Sequence, residues 1–117
     1  MEQYNAEFLT AAINDMTEIT ASFVMLGSKQ GAARIKDKMM NAAVQIQNFP
    51  YSGVTVPDPK LSKSGFRMVV VRDYLMLYKV FEKEKKVVFY RILNGKTNYP
   101  ALMNRLYSIN SDDTAIQ

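Results

Sequence analysis

Between Leu9 and Leu26 apolar residues recur at steps of three and four: Leu9, Ile13, Met16, Thr20 (a weaker member), Phe23 and Leu26. Such steps stack side chains on one side of a helix, so the pattern predicts an amphipathic helix with Asp15 and Glu18 toward solvent. Thr10 is the expected N-cap, Gly27 the C-terminal stop and Ser28 the cap of a following helix. The next pattern is cleaner. Ala32, Ile35, Met39, Ala42, Ile46 and Phe49 share one face, with Arg34, Asp37, Lys38, Asn41 and Gln45 opposite. Pro50 ends it, because the residue before a proline avoids helical dihedrals. Two such helices joined by a tight turn make a hairpin, and the short stretch from Tyr4 to Phe8 ahead of them is expected as a strand.

Residues 50–65 contain Pro50, Gly53, Pro57, Pro59 and Gly65 with Ser52, Ser62 and Ser64 between, which predicts a long loop of the kind that often serves function. Beyond it the period changes from 3.6 to 2. Phe66–Val71, Tyr74–Phe81 and Val87–Leu93 are rich in Val, Tyr, Phe and Ile, as strands are. Arg72-Asp73 forms the first turn without the Asn-Gly chemistry such turns prefer, and Glu82 to Lys86 forms the second. In the middle strand Tyr74, Met76, Tyr78 and Val80 share one face, and Leu75, Leu77, Lys79 and Phe81 the other. Both faces are largely apolar. The helical hairpin covers one, so the other must meet the C-terminal segment or another chain. That segment, with Pro100 in a first turn followed by Leu102, Met103 and Leu106, reads as a short helix. Ser108 to Gln117 reads as a flexible polar tail. The expected fold is therefore α+β in a single domain over residues 1–117: an N-terminal helical hairpin packed on a small antiparallel sheet, with a three-stranded meander at its centre, a short N-terminal strand as a possible addition, and a short C-terminal helix.

A chain of 117 residues that is 48% hydrophobic and 22% charged has enough apolar surface for a core without staples. It has no cysteine, which removes disulfides, thiolate metal sites and a cysteine nucleophile, and suits a reducing cytoplasm. It has no histidine either, so an imidazole base and a histidine metal ligand are absent. The longest apolar run is Tyr74 to Tyr78, far short of a membrane span. The first basic residue is Lys29, so no secretory signal with a positive n-region is expected. The net charge of +4 is unevenly placed: residues 1–58 carry −2, residues 59–96 carry +7 and residues 97–117 carry −1. A block so basic attracts phosphates or an acidic partner.

Around the meander Lys63, Arg67, Arg72, Lys79, Arg91 and Lys96 are interleaved with Tyr74, Tyr78, Tyr90 and Tyr99. Arg67 and Arg91 lie inside strands, where a guanidinium is costly unless its surroundings use it. Either they build a binding surface for phosphate or acidic peptide, or they snorkel and pair internally. Lys83, Lys85 and Lys86 alternate with Glu82 and Glu84 and read as a solvated hairpin tip. Phosphodiester cleavage by a 2′-hydroxyl needs a proton acceptor, and arginine cannot supply one at neutral pH. No paired carboxylate spacing suggests a metal, no glycine-rich phosphate loop is present, and no cofactor is expected. Met16, Met39, Met68, Met76 and Met103 fall on apolar faces as core fillers.

The order of these pieces resembles the RelE/ParE superfamily of toxins from type II toxin–antitoxin modules, across about residues 4 to 106. The resemblance rests on the helix end Asn48-Phe49-Pro50-Tyr51-Ser52-Gly53, the strand Gly65-Phe66-Arg67-Met68-Val69-Val70-Val71, the strand Tyr74-Leu75-Met76-Leu77-Tyr78-Lys79-Val80, and the strand end Arg91-Ile92-Leu93-Asn94-Gly95-Lys96. It implies a growth-arresting toxin of the plasmid-stabilisation kind, neutralised by an antitoxin whose C-terminal part wraps it. RelE-like members cleave mRNA on the ribosome, and ParE-like members poison DNA gyrase. In the RelE branch a catalytic arginine follows the tyrosine that opens the middle strand, whereas here Leu75 follows Tyr74. The related YoeB-like branch uses a C-terminal histidine, which this chain lacks. ParE-like members usually carry His-Gly where this chain has Asn94-Gly95, and Arg67 and Arg91 match arginines common in that pattern.

The favoured reading is a toxin that binds a macromolecule, DNA gyrase, with Lys63, Arg67, Arg72, Leu75, Leu77, Arg91, Lys96 and Tyr99 as contacts for target or antitoxin. An acidic, partly disordered antitoxin is expected over the face bearing Leu75 and Leu77 and along the basic block. The alternative is a ribosome-dependent mRNA interferase in which Arg67, Arg91 and Lys96 steady the phosphate. A third option is a repurposed module that merely binds a peptide or nucleic acid. No membrane partner or metal is expected, and oligomeric state is left open.

Overall fold

The computed structural model describes residues 3–107. It contains β1 (Asn5–Phe8), α1 (Thr10–Met25), α2 (Lys29–Asn48), β2 (Val54–Thr55), α3 (Pro59–Lys63), β3 (Arg67–Val71), β4 (Tyr74–Phe81), β5 (Lys86–Asn94) and α4 (Tyr99–Tyr107). The strands form one sheet in the order β1-β5-β4-β3-β2. The meander β3-β4-β5 is antiparallel, and β1 joins as a parallel edge strand, pairing Asn5 to Phe8 with Lys86 to Phe89. The α+β architecture expected from the sequence is thus present, with two further strands flanking the meander.

The hairpin turn is built by Gly27, whose φ of +86° suits a residue without Cβ, and by Ser28, whose hydroxyl accepts a 2.9 Å bond from the N–H of Gly31. The start of α1 differs from expectation. Leu9, in extended conformation, is its N-cap and Thr10 is already helical. The face turned inward differs in part: Met16 and Phe23 pack against the core as expected, but with Ile19 and fully buried Ala12 beside them, whereas Ile13 is 51% and Leu26 85% exposed. Nearly every turn of α1 carries two apolar residues, so two stripes competed; the one containing Ala12 allows the closer approach of helix and sheet. In α2 the expected face is the observed one, except that Phe49 stays exposed beyond the helix end.

The hairpin covers one side of the sheet through Ile35, Met39, Ala43 and Ile46 against Met76, Tyr78, Val87, Phe89 and Ile92. The stretch 50–65 is not the long loop that its prolines suggest. It holds β2 and α3, the latter started by Asp58 and Pro59 and anchored by fully buried Leu61. Val56, Leu61 and Phe66 join Met103 of α4 on the second side of the sheet, against Leu75 and Leu77. The register of β4 and β5 slips between Leu77, which faces Arg91, and Tyr78, which faces Phe89. Tyr90 is the extra residue of this bulge, and such an insertion re-aims its neighbours. The polar tail expected over 108–117 lies outside the described residues.

Candidate functional site

The two strand arginines are occupied from within the chain. β1 ends at Phe8, and beyond the bond from Leu9 N–H to the carbonyl of Phe89 the edge of β5 has no strand beside it among the described residues. α1 runs past that gap, and Asp15 fills it. Its carboxylate accepts from Arg91 Nε at 2.7 Å, from Arg91 Nη2 at 2.9 Å and from the backbone N–H of Ile92 at 2.9 Å. The two side chains are 17% and 11% exposed, and the bond to Asp15 holds the guanidinium pKa above its ordinary value. Asp15, expected in solvent, is a structural partner that helical periodicity concealed. Arg91, expected as a contact for target, antitoxin or phosphate, is instead part of the frame.

Arg67 also turns inward. Its Nη2 donates to the carbonyls of Tyr51 at 2.9 Å and Gly53 at 2.8 Å, and its guanidinium lies 5.3 Å from the centre of the Tyr51 ring. From the other side the hydroxyl of Tyr78 donates to the carbonyl of Pro50 at 2.7 Å and accepts from the N–H of Gly53 at 3.1 Å. A Cβ on Gly53 would stand 2.4 Å from that hydroxyl and 2.7 Å from the carbonyl of Met68. The Phe49-Pro50-Tyr51-Ser52-Gly53 segment is therefore a knot tied onto β3 and β4. Tyr51 and Tyr4 both donate their hydroxyls to Glu82, so the β4–β5 turn is also a tie point, not only a solvated tip. That bond to Glu82 lifts the Tyr51 pKa to about 12 and holds the Glu82 carboxyl below the usual range.

The second sheet face, expected to receive an antitoxin, is closed by the chain itself. Leu77 is fully buried and Leu75 8% exposed beneath α3 and α4. Asn104 of α4 donates to the Asp58 cap of α3 at 3.0 Å, fastening the two helices together. The ammonium of Lys79 sits 4.6 Å from the Phe66 ring and 5.5 Å from the Tyr90 ring. Tyr99 is half-buried in this layer rather than projecting from it. The face is covered because residues 56–61, read as loop, supply Val56 and Leu61, which with α4 pack over it.

Three of the expected contacts are on the surface. Arg72, at a φ of +57°, and Lys96 occupy adjoining turns, joined by a 2.8 Å bond from the N–H of Gly95 to the carbonyl of Asp73. Lys63 is exposed at the end of α3, beyond the opposite end of β3. The basic block is thus divided between the two ends of the sheet. Sequence reasoning did not connect α2 with this region: Lys38, Asn41 and Gln45 face Val69, Val70, Val71 and Arg72 across a groove of about 340 Å³. Their i, i+3, i+7 spacing marked one polar face, but not that it borders a strand. Among the described residues, no group of three acidic, histidine or cysteine side chains converges as a metal site, and no helix is long and apolar enough to cross a membrane.

Comparison with known proteins places this geometry. Residues 6–99 match the family model described as the ParE toxin of the type II toxin–antitoxin system parDE. Among solved structures the chain is similar to a chain of the chromosomal ParDE system from P. aeruginosa, with 16% identity, a TM-score of 0.64, and coverage of 79% of this chain and 96% of that one. It is similar as well to a chain of the RelBE2 toxin–antitoxin complex from Mycobacterium tuberculosis, with 19% identity, a TM-score of 0.58, and coverage of 80% and 93%. A mutant of the E. coli RelE toxin in its free state is 14% identical, with a TM-score of 0.59 and coverage of 89% and 98%. No curated protein sequence matches the chain.

Proposed function

The chain belongs to the family of ParE toxins of type II toxin–antitoxin systems, and from that premise we propose that it arrests growth by gripping DNA gyrase, without bond-making chemistry of its own. One observation carries the choice of binding over cleavage. The position after Tyr74 holds Leu75, packed under α3 and α4, and the two strand arginines are tied to Asp15 and to the carbonyls of Tyr51 and Gly53. Stabilising a phosphorane-like charge needs cations aimed at one point, and moving the 2′-hydroxyl proton needs a base beside it. Neither is assembled around Arg67, Arg91 and Lys96. What remains is a rigid body with exposed cations at Arg72, Lys96 and Lys63, suited to steering toward a negatively charged surface.

Both the P. aeruginosa and the M. tuberculosis relatives come from toxin–antitoxin systems, and a cognate antitoxin is the partner of this chain as well. The test is a supercoiling assay with purified protein. Micromolar toxin should block gyrase, and the charge reversals Arg72→Glu and Lys96→Glu together should relieve the block with unfolding midpoints unchanged. Undiminished gyrase activity, with translation arrested and mRNA cut within codons, would replace this reading by the ribosome-dependent interferase.

A further inference from the structure

Arg34, Lys38, Arg72 and Lys96 gather at one end of the molecule. Arg34 and Lys38 are one turn apart on the exposed side of α2, about 6 Å along its axis, and Asn41 and Gln45 continue the same row. Lys38 and Arg72 line the 340 Å³ groove together, so the row leads onto the turn between β3 and β4. The bond from the N–H of Gly95 to the carbonyl of Asp73 brings Lys96 beside that turn. All four cations are exposed, and among the described residues none of them forms an ion pair. Two carboxylates adjoin them in sequence: Asp73, in the turn itself, and Asp37, turned about 100° around the helix from Lys38. The balance stays positive.

The composition of this surface selects among anionic partners. The centre of a protein interface is apolar and poor in charge. Here Val70 is the one large apolar side chain exposed among the residues lining the groove. A single nucleic-acid strand needs aromatic platforms on which its bases stack. None of Arg34, Lys38, Asn41, Gln45, Arg72 and Lys96 is aromatic. A duplex backbone needs neither. It is a regular row of phosphates, and it takes its hydrogen bonds mostly from arginine, lysine, asparagine and glutamine side chains. Two cations followed by two amides, along about 16 Å of one helix, supply that chemistry.

We infer that Arg34, Lys38, Arg72 and Lys96 seat the phosphate backbone of a DNA duplex, with Asn41 and Gln45 as further donors. The inference deepens the gyrase reading and rests on it: the duplex is the one that gyrase holds, and the toxin touches enzyme and DNA together. Contacts to phosphate carry no sequence information, so the binding is indifferent to base sequence.

The probe is a fluorescein-labelled duplex of about 20 base pairs, titrated with the full chain and followed by fluorescence anisotropy. Neutralising four phosphates gives a slope of log affinity against log salt of about −3.6, so affinity should fall about 150-fold from about 50 to about 200 mM salt. Arg34→Gln with Lys38→Gln removes two exposed charges and keeps good helix formers, and should reduce the slope by about 1.8. Lys96→Gln, in a turn, should reduce it by about 0.9 and decides the matter should the α2 variant fail to fold. Lys63→Gln, at the opposite end of the sheet, should leave it unchanged. No binding at about 50 mM salt, a slope that neither the α2 variant nor Lys96→Gln reduces, or an equal loss in Lys63→Gln overturns the inference. Tighter binding of a single-stranded RNA of the same length also overturns it, in favour of RNA. A supercoiling assay separates the two layers of argument. Gyrase blocked by a chain that does not bind the duplex sinks the DNA contact alone, whereas duplex binding with gyrase unimpeded sinks the gyrase reading and leaves the phosphate contact standing.

Discussion

Asp15→Ala is the substitution that tests most directly whether Arg91 belongs to the frame. It removes both bonds to the guanidinium and the bond from the Ile92 N–H. Breaking a fully buried ion pair by deleting one partner costs about 3–5 kcal/mol, because the other charge is left without compensation. Arg91 is 17% exposed and regains some water, which puts the loss near the lower end, about 3 kcal/mol, of which about 1 kcal/mol is the orphaned Ile92 N–H. With an unfolding entropy of about 2.1 cal/mol/K per residue, that loss lowers Tm by about 12 °C. Urea unfolding followed by circular dichroism reads it, with Glu18→Ala on the exposed side of α1 as a control expected within about 0.5 kcal/mol of wild type. The double variant Asp15→Leu with Arg91→Met should recover all but about 1 kcal/mol, since only the Ile92 N–H then lacks a partner. It should still arrest growth. A loss below about 1 kcal/mol for Asp15→Ala would mean that the pair behaves like a surface contact; loss of toxicity in the folded double variant would mean that Arg91 touches the target.

Tyr78→Phe strips two bonds from the Pro50–Gly53 knot and should cost about 1–3 kcal/mol in thermal unfolding, with faster amide exchange at Gly53. Gly53→Ala drives a methyl into the Tyr78 hydroxyl and the Met68 carbonyl and should cost about 1–3 kcal/mol, partly rescued by Tyr78→Phe in the same chain. Stability should fall on acidification. The bond from Tyr51 to Glu82 and the bond from Asn104 to Asp58 hold both carboxyls below their ordinary range, so their contribution is present above the unfolded carboxylate pKa and is lost as pH drops through the folded values. At the alkaline end Tyr51, raised to about 12, contributes below pH 10 and ceases to as pH climbs past its folded value; Glu82→Gln should move the transitions of both Tyr51 and Tyr4 at 295 nm to lower pH.

Period alone made the hairpin and the meander legible: α2 and β4 carry patterns with one solution each, and both appear where the sequence puts them. α1 was less legible because it is apolar on more than one stripe, so neither its inward face nor the burial of Asp15 follows from spacing. Residues 54–63 read as loop because prolines mark turns and helix starts alike. The basic residues were found by composition, but their use was not. Whether a guanidinium meets solvent or a carbonyl depends on partners 14 to 76 positions away, as Arg67 to Gly53 and Arg91 to Asp15 show. The groove beside β3 joins residues of α2 to a strand some 30 positions on, a proximity that only the packed fold creates.

The division between framework and surface charge bears on how one scaffold serves unlike ends. Its sheet offers two faces, and the hairpin takes one. When the residue after Tyr74 is leucine, the second face becomes a core, and α3 with α4 can close over it. A guanidinium at that place would be buried under Met103 and Leu61 without a partner, at a desolvation cost that favours lifting the covering helices. The sealing of this face thus follows from the apolar side chain at Leu75. Once the face is sealed, the exposed side chains of Arg72, Lys96 and Val70 lie at turns and a sheet edge. Those positions can change without disturbing the packing beneath, because none of them belongs to the two buried clusters.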